Sequence, residues 1–366
     1  MCGEARILNE VENLIKSGLN FIIKGKLNEA LEYFYQVIAL DPKNATAFNN
    51  VGVMLHSLGH VKEAIAFFNQ AIKLDPNMVK PWINKGSAFY ELKRLREALK
   101  CFNQALQVNP TSPEAWLNKG AALLDMGELK KALNCFDKAL KINPKMAEAW
   151  YCKGIIYQNT NEVKKALECF KTALEINPSH KKAFLNCGVI LRSLGRIKEA
   201  MRCFEKALQI DPNYAKAYYN EGNALRALGK KEAALQCFNY AIEFNSEYLE
   251  AWINRGVILR SLGRKKEAIE NYKHALELDP NCDKAWYNLG LVLPDDELET
   301  KIGCYKRALE INPRHAKAWY NTGIVFRKLG LETVAIKCFE QAITLDKRLK
   351  TILNIQSTEK TYTEYA

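Results

Sequence analysis

The sequence predicts an all-α solenoid in which one pair of helices is repeated ten times. Prolines set the period, because they recur every 34 residues along much of the chain and return after Ser246: Pro42, Pro76, Pro110, Pro144, Pro178, Pro212, Pro280 and Pro313. A fixed period of about 20 to 50 residues is typical of repeat architectures, in which each unit packs on its neighbours. Such folds present long surfaces, so the period favours binding over catalysis.

Two sequence signals mark the ends of the two helices in each repeat. Apolar residues between Ala215 and Ala241 return at spacings of three and four, which is helical periodicity, and Gly229 interrupts them. Equivalent breaks that end the first helix fall at Gly25, Gly59, Gly127, Gly195, Gly263 and Gly330, with Lys93 and Asn161 in two other repeats. The second helix ends at an Asx residue before proline, as at Asp211-Pro212, because proline disfavours helix in the residue before it.

A further glycine lies inside the first helix of every repeat: Gly18, Gly52, Gly86, Gly120, Gly154, Gly188, Gly222, Gly256, Gly290 and Gly323. Glycine in a helix interior costs about 1 kcal/mol relative to alanine. We therefore expect the second helix to pack too closely for a side chain, through small residues such as Ala234 and Ala268. All six tryptophans share one repeat position, and we expect this aromatic stripe to be core.

One repeat carries Trp252, Gly256, Leu259, Ala268, Tyr272, Ala275 and Pro280, and this pattern resembles the tetratricopeptide repeat family. Repeats begin near residues 11, 45, 79, 113, 147, 181, 215, 249, 282 and 316, so the resemblance covers a single array over 11–349. Residues 1–10 are a lead-in, and residues 350–366 are expected to form a C-terminal cap and frayed tail. The resemblance implies a right-handed superhelix of antiparallel helix pairs whose first helices line a concave groove.

The ninth repeat departs from this pattern because Pro294 falls inside its first helix. An interior proline ends or kinks a helix. We therefore expect a shortened first helix and a local change in superhelix curvature. The alternative is a neutral one-residue deletion that the turn absorbs.

Composition and motifs indicate a folded, non-catalytic chain. Hydrophobic residues make up 48% and charged residues 26%, which argues against disorder. The chain carries no HExxH, GxSxG or phosphate-binding loop, so we predict no enzyme activity and no cofactor. Of the eleven cysteines, seven share one repeat position and none forms a CxxC pair, so a metal site is not expected.

The net charge of +12 indicates acidic partners or, equally well, a lysine-rich solvated face. The N-terminus has no secretory signal, and no stretch is apolar enough to span a bilayer, so we predict a cytoplasmic protein without a membrane span.

The sixth position of the repeat is nearly uniform and predicts a ladder of side-chain amides: Asn50, Asn84, Asn118, Asn186, Asn220, Asn254, Asn288 and Asn321. Amides offer donors and acceptors that suit the backbone of an extended peptide. A similar ladder occurs in the repeat arm of O-linked N-acetylglucosamine transferases. The alternative is that Asn is simply the common residue of the repeat.

Other groove positions predict a tyrosine wall and a charge gradient. Tyr151, Tyr219, Tyr287 and Tyr320 fill the fifth position. Acidic Glu114, Asp125 and Glu148 precede a largely basic second half of the groove: Lys182, Arg192, Lys216, Arg226, Arg260, Lys284, Lys317, Arg327 and Lys328, against Glu250 and Asp295. We expect the basic half to capture an acidic extended segment.

The leading hypothesis is therefore an interaction scaffold for one or more proteins. The carboxylate clamp of the chaperone-tail receptors in this family is not matched, because its arginine position holds Asn apart from Lys16 and Cys152. Two alternatives remain open. One is a basic helical array that binds nucleic acid, which the 41 acidic residues disfavour. The other is a self-assembling structural protein, possible as a homo-oligomer.

Overall fold

The computed structural model describes the backbone of residues 2–349 and the side chains of residues 8–349. The described chain forms twenty α-helices and no strands. They are α1 (Cys2–Ile23), α2 (Leu27–Leu40), α3 (Ala45–Ser57), α4 (Val61–Leu74), α5 (Val79–Glu91), α6 (Leu95–Val108), α7 (Pro113–Asp125), α8 (Leu129–Ile142), α9 (Ala147–Asn159), α10 (Val163–Ile176), α11 (Lys181–Ser193), α12 (Ile197–Ile210), α13 (Ala215–Ala227), α14 (Lys231–Phe244), α15 (Leu249–Ser261), α16 (Lys265–Leu278), α17 (Asp283–Val292), α18 (Leu298–Ile311), α19 (Ala316–Lys328) and α20 (Glu332–Leu345).

The helices divide into two compact units, one up to Ala183 and one from Phe184 onward. Within each unit, helices of one repeat pack against each other, as α3 on α4 and α13 on α14, and second helices contact the following first helix, as α4 contacts α5 and α14 contacts α15. The all-α repeat architecture is confirmed. Residues of the predicted lead-in belong to α1, which begins at Cys2. The predicted C-terminal cap lies outside the described residues.

Turn residues end the helices where the sequence signals stand. Gly127 adopts a positive φ of 77° after α7, and Lys93 and Asn161 adopt 59° and 61° at the same repeat position. At the end of the second helix, the Asp75 carboxylate accepts a hydrogen bond from the Asn77 backbone at 3.0 Å. Such an Asx turn redirects the chain into the next first helix.

An aromatic ring explains the glycine inside each first helix. A Cβ atom added to Gly120 would lie 2.6 Å from Cε1 of Phe136, and each of the other nine glycines faces the equivalent ring. Phe136 is fully buried and has no space to move. The close contact is therefore with a ring of the second helix, whereas we expected the neighbouring alanine.

Tryptophans tie six of the first helices to the turn before them. The indole Nε1 of Trp116 donates to the carbonyl of Pro110 at 2.8 Å, and Trp150 donates to Pro144 at 3.0 Å. The tryptophans are half-buried, because one ring face packs in the array while the indole nitrogen reaches this carbonyl.

The ninth repeat has the predicted short first helix. Helix α17 has 10 residues, whereas α15 has 13. Leu293 adopts an extended ψ of 151° before Pro294, as expected for a residue that precedes proline. Lys301, at the position of Ala268 one repeat earlier, is buried, and its Nζ lies 2.7 Å from Oδ1 of Asp295.

Candidate functional site

The predicted groove residues lie on first helices except Asp295, which lies in the turn after the shortened α17. In the unit up to Ala183, the first helices α3, α5, α7 and α9 contact one another in sequence, and α15 contacts α17 in the other unit. This packing makes the first helices a continuous layer within each unit. The predicted asparagines are all half-buried in that layer: Asn50, Asn84, Asn118, Asn186, Asn220, Asn254, Asn288 and Asn321.

Side-chain amides in the first unit donate to the preceding repeat. Asn84 Nδ2 donates to Asn49 Oδ1 at 2.9 Å, and Asn118 Nδ2 donates to Ser87 Oγ at 3.4 Å. Each bond joins residues more than thirty positions apart in the chain. The amide donors therefore hold neighbouring first helices in register.

In the second unit the asparagines donate to the preceding repeat, to their own helix or, as Asn321 does, to both. Asn254 Nδ2 donates to the Tyr219 hydroxyl at 3.2 Å and to Asn223 Oδ1 at 3.0 Å. Asn321 likewise reaches the Tyr287 hydroxyl at 3.1 Å. The intervening amides bond to their own helices, Asn220 to the Lys216 carbonyl and Asn288 to the Lys284 carbonyl, both at 2.8 Å.

These hydrogen bonds use the amide N–H groups of the asparagines and leave their amide oxygens available as acceptors. Among the described residues, no donor reaches the side-chain carbonyl oxygen of Asn84, Asn118, Asn220, Asn254, Asn288 or Asn321. An amide oxygen has two lone pairs, so this row can accept hydrogen bonds from the N–H groups of an extended chain.

The four predicted tyrosines pack on neighbouring rings, three of them on two rings each. Tyr151 packs on Phe170 at 5.7 Å between ring centroids, and on His180 at 4.7 Å. Tyr219 packs in the same way on Phe238 and Tyr248, Tyr287 on Tyr305 and His315, and Tyr320 contacts Phe339. Burial raises the pKa of Tyr287. The tyrosine wall is therefore rigid, which lowers the entropy cost of binding.

Two histidines have a role that the sequence analysis missed. His180 and His315 precede α11 and α19, and their Nδ1 atoms accept hydrogen bonds from the backbone N–H groups of Ala183 at 3.3 Å and Ala318 at 3.2 Å. They are helix N-caps, in the place where Ser112 caps α7. Their position directly before the first helix was the signal that could have revealed them.

The acidic residues of the first unit are largely neutralised by the chain itself. Asp125 Oδ2 accepts from the Tyr90 hydroxyl at 2.8 Å and lies 3.8 Å from Lys93 Nζ. Glu148 pairs with His180 Nε2 at 3.1 Å, and this hydrogen bond lowers the pKa of the Glu148 carboxyl. Glu114 is exposed.

The basic residues fall into two groups. Arg327 lies 3.2 Å from Glu332 and over the Phe339 ring, and Lys328 lies 3.6 Å from Asp295, so both are already engaged. Among the described residues, five predicted cations on α13, α15, α17 and α19 have no carboxylate within ion-pair distance: Lys216, Arg226, Arg260, Lys284 and Lys317.

The remaining two predicted cations lie apart from this group. Arg192 is half-buried, and its Nε has no hydrogen-bond partner in the described chain. Lys182 is exposed and belongs to the first unit, where it helps to lower the pKa of Glu148. Most of the predicted groove cations without a carboxylate partner therefore belong to the second unit.

Other site classes find no support in the described residues. No group of three or more His, Cys, Asp or Glu side chains there could hold a metal ion. No described helix combines the length and apolar character that crossing a membrane requires. Burial raises the pKa of the Cys135 and Cys169 thiols, which makes them less reactive.

Family models match most of the chain. Residues 23–248 match the model described as the cilia and flagella-associated protein 70 C-terminal domain. Residues 249–282 and 304–334 match tetratricopeptide repeat models.

One of two similar solved structures supports the fold. A tetratricopeptide repeat protein from Parabacteroides merdae ATCC 43184 is 23% identical, with a TM-score of 0.52, over 71% of this chain and 99% of that chain. YrrB, described as a TPR protein with an unusual peptide-binding site, is 25% identical with a TM-score of 0.40, over 50% of this chain and 95% of its own. No curated protein sequence matches this chain.

Proposed function

Because the chain belongs to the family of the cilia and flagella-associated protein 70 C-terminal domain and is a tetratricopeptide repeat protein, we propose that it is a non-catalytic scaffold that binds an acidic, extended protein segment. Tetratricopeptide repeats indicate a protein–protein interaction scaffold. The proposed binding face is formed by the first helices of the second unit. A cytoplasmic location is part of the proposal.

One observation carries the choice of an acidic segment. Lys216, Arg226, Arg260 and Lys317 lack carboxylate partners in the described chain, whereas the acids of the first unit are mostly paired. Unpaired cations on one face attract and orient anionic groups. Guanidinium groups bind carboxylates in a bidentate manner, which favours acidic side chains as ligands for Arg226 and Arg260.

The asparagine row supports an extended conformation for the bound segment. Its carbonyl oxygens without a donor recur in each repeat from Asn220 to Asn321 and can accept from backbone N–H groups, which an α-helical ligand would already have used internally. The tyrosines add rigid, amphipathic contact area beside this row. Backbone hydrogen bonds would supply affinity, and the cations would select for acidic side chains.

Charge reversal tests the proposal. A fluorescein-labelled twelve-residue peptide of alternating Glu and Ser is the probe, and fluorescence anisotropy measures its affinity. We expect Arg226→Glu together with Arg260→Glu to weaken binding at least about tenfold, because two attractive contacts become repulsive. Lys198→Glu with Lys266→Glu is the matched control, since it makes the same charge change on exposed positions of second helices.

Equal losses in both double variants would reduce the effect to net charge and contradict the proposed face. A single-stranded nucleic acid of twelve nucleotides, bound more tightly than the peptide and lost in the same variant, would instead favour the nucleic-acid alternative. A mass in solution that rises with concentration would favour self-assembly.

The matched family model also indicates where to look for partners. Its description associates that domain with cilia and flagella, which supports a partner in those organelles. Localisation of the tagged chain in ciliated or flagellated cells tests this, and a signal excluded from the organelle would contradict it.

A further inference from the structure

The last described repeat has an apolar cleft on a side other than the first-helix face. Helices α18, α19 and α20 enclose a volume of about 590 Å³. Ile302 and Leu309 line one wall, Val334 lines the other, and Trp319 and Phe326 form the floor. This cleft takes no part in the peptide-binding face proposed above.

Two equivalent clefts in other repeats are smaller, and in both repeats a cation lies over the tryptophan. In the cleft of about 330 Å³ between α6, α7 and α8, Lys119 and Lys138 lie 5.1 and 4.2 Å from the Trp116 ring. In the cleft of about 200 Å³ between α14, α15 and α16, Arg255 lies 4.4 Å from Trp252. A cation over an indole face is attractive and shields it from water.

Two covering cations, Arg255 and Lys153, are anchored across the cleft by a polar residue of the preceding second helix. Arg255 donates from Nη1 to Asn239 Oδ1 at 3.2 Å. In the fifth repeat, Lys153 Nζ donates to Asp137 Oδ1 at 2.6 Å and lies 5.0 Å from Trp150. The regular cleft is thus closed by a cation from the first helix and an acceptor from the helix before it.

The last repeat has neither the covering cation on its first helix nor the acceptor on the helix before it. Thr322 stands where Lys119 and Arg255 stand, and its buried hydroxyl donates to its own helix at the Ala318 carbonyl. Lys306 stands where Asp137 and Asn239 stand, so a donor replaces the acceptor. Within the described residues, no cation lies over the Trp319 ring.

The rim of the cleft carries uncompensated positive charge. Lys306 and Lys337, from opposite walls, are exposed and have no carboxylate partner among the described residues. The one acidic side chain at the rim, Glu310, pairs with Arg307 at 3.0 Å. The cleft therefore presents an apolar floor between two free ammonium groups.

We propose that this cleft binds a short segment of a partner protein in which an apolar side chain adjoins acidic residues. The apolar side chain covers Trp319 and Phe326, where Lys119 or Arg255 covers the indole elsewhere. Carboxylates of the segment pair with Lys306 and Lys337, which supplies the acceptor that Asp137 provides in the fifth repeat. Burial of the floor provides affinity, and the two lysines provide selectivity.

The test uses the full chain and the labelled peptide Gly-Ser-Leu-Phe-Glu-Glu-Ser-Gly, measured by fluorescence anisotropy. Thr322→Lys restores the covering cation of the regular repeats, so we expect the affinity to fall at least about tenfold. We expect the same loss when Ser replaces the Leu-Phe pair or Lys replaces both Glu. Lys306→Glu with Lys337→Glu, at exposed positions that leave the fold intact, should reverse the preference between the Glu and Lys peptides.

Arg226→Glu with Arg260→Glu is the control that separates this site from the first-helix face. It should leave the octapeptide affinity within about twofold, whatever happens to the alternating Glu-Ser peptide. Unchanged binding in Thr322→Lys, or equal binding of the Glu and Lys peptides, would overturn the proposal. A tenfold rise in affinity on removal of residues 350–366 would also overturn it, because the occupant would then be the chain's own terminal segment.

Discussion

Repeats eight and nine are neighbours with the same helix-pair plan, yet they fill the space between their helices differently. In repeat eight, α15 runs for 13 residues, and the facing Ala268 is fully buried. In repeat nine, α17 runs for 10 residues, and Lys301 takes the place of that alanine. A small residue faces the long helix, and a long residue faces the short one.

Pro294 is the physical cause of the difference. It holds Leu293 in an extended conformation and removes the last turn of the first helix. Lys301 is buried opposite the shortened helix, and its ammonium group reaches the exposed Asp295. Two departures from the repeat pattern therefore compensate each other.

The largest expected effect on stability comes from exchanging the residue types of Ala268 in repeat eight and Lys301 in repeat nine. Ala268→Lys places a long cation against a full-length α15 with no carboxylate beside it. We expect the free energy of unfolding to fall by more than about 4 kcal/mol, as for the most destabilising core substitutions. Lys301→Ala only empties space in repeat nine, and we expect a loss of about 2 kcal/mol. Urea unfolding followed by circular dichroism measures both. Equal losses would show that α17 and α15 leave the same room.

A smaller effect is expected from the glycine that faces the ring in repeat eight. Gly256→Ala would put its Cβ 2.6 Å from Cε1 of the fully buried Tyr272. We expect a net loss of about 1 to 3 kcal/mol, because overpacking outweighs the helix-propensity gain of about 1 kcal/mol. Gly303→Ala in α18 is the control, since nothing lies within 4 Å of its added Cβ. This control should stabilise the chain, and stabilisation by Gly256→Ala would contradict the packing explanation.

The smallest expected effect concerns the residue before each first helix. Tyr248 and Cys282, before repeats eight and nine, make no side-chain cap, whereas His315 before α19 does. Burial lowers the pKa of His315 below its ordinary value of 6.5. The folded chain thus favours the neutral, capping form, so its stabilisation is full above pH 6.5 and is lost as pH falls through the lowered pKa.

Urea midpoints at pH 7.5 and 5.0 test this dependence against His315→Asn, which caps without titrating. We expect the wild-type chain to lose up to about 1 kcal/mol more than this variant over that interval, the usual worth of a cap. An identical change with pH in both proteins would exclude His315 as the titrating group.

Sequence periodicity predicted most of the fold and the residue types of the candidate face. Gly127 and the Asx-Pro pairs marked helix ends, and Pro294 predicted the short α17. The hydrogen-bond partners of these side chains could not be predicted in the same way. Asn254 donates hydrogen bonds to Tyr219 and Asn223, which lie 35 and 31 residues away in the chain. Such partners are set by the register between stacked helices.

The sequence by itself determined the local features of the array. These are where helices begin and end, which positions are small or aromatic, and how charge varies along the chain. These features depend on neighbours within a few residues, whose preferences are intrinsic to the residue types. Tertiary structure alone decided that a ring faces each glycine, that the asparagine row offers acceptors, that Lys301 packs beneath a shortened helix, and that Trp319 is left uncovered. Each depends on side chains brought together by helix stacking, and their separation in the chain hides the contact from local reasoning.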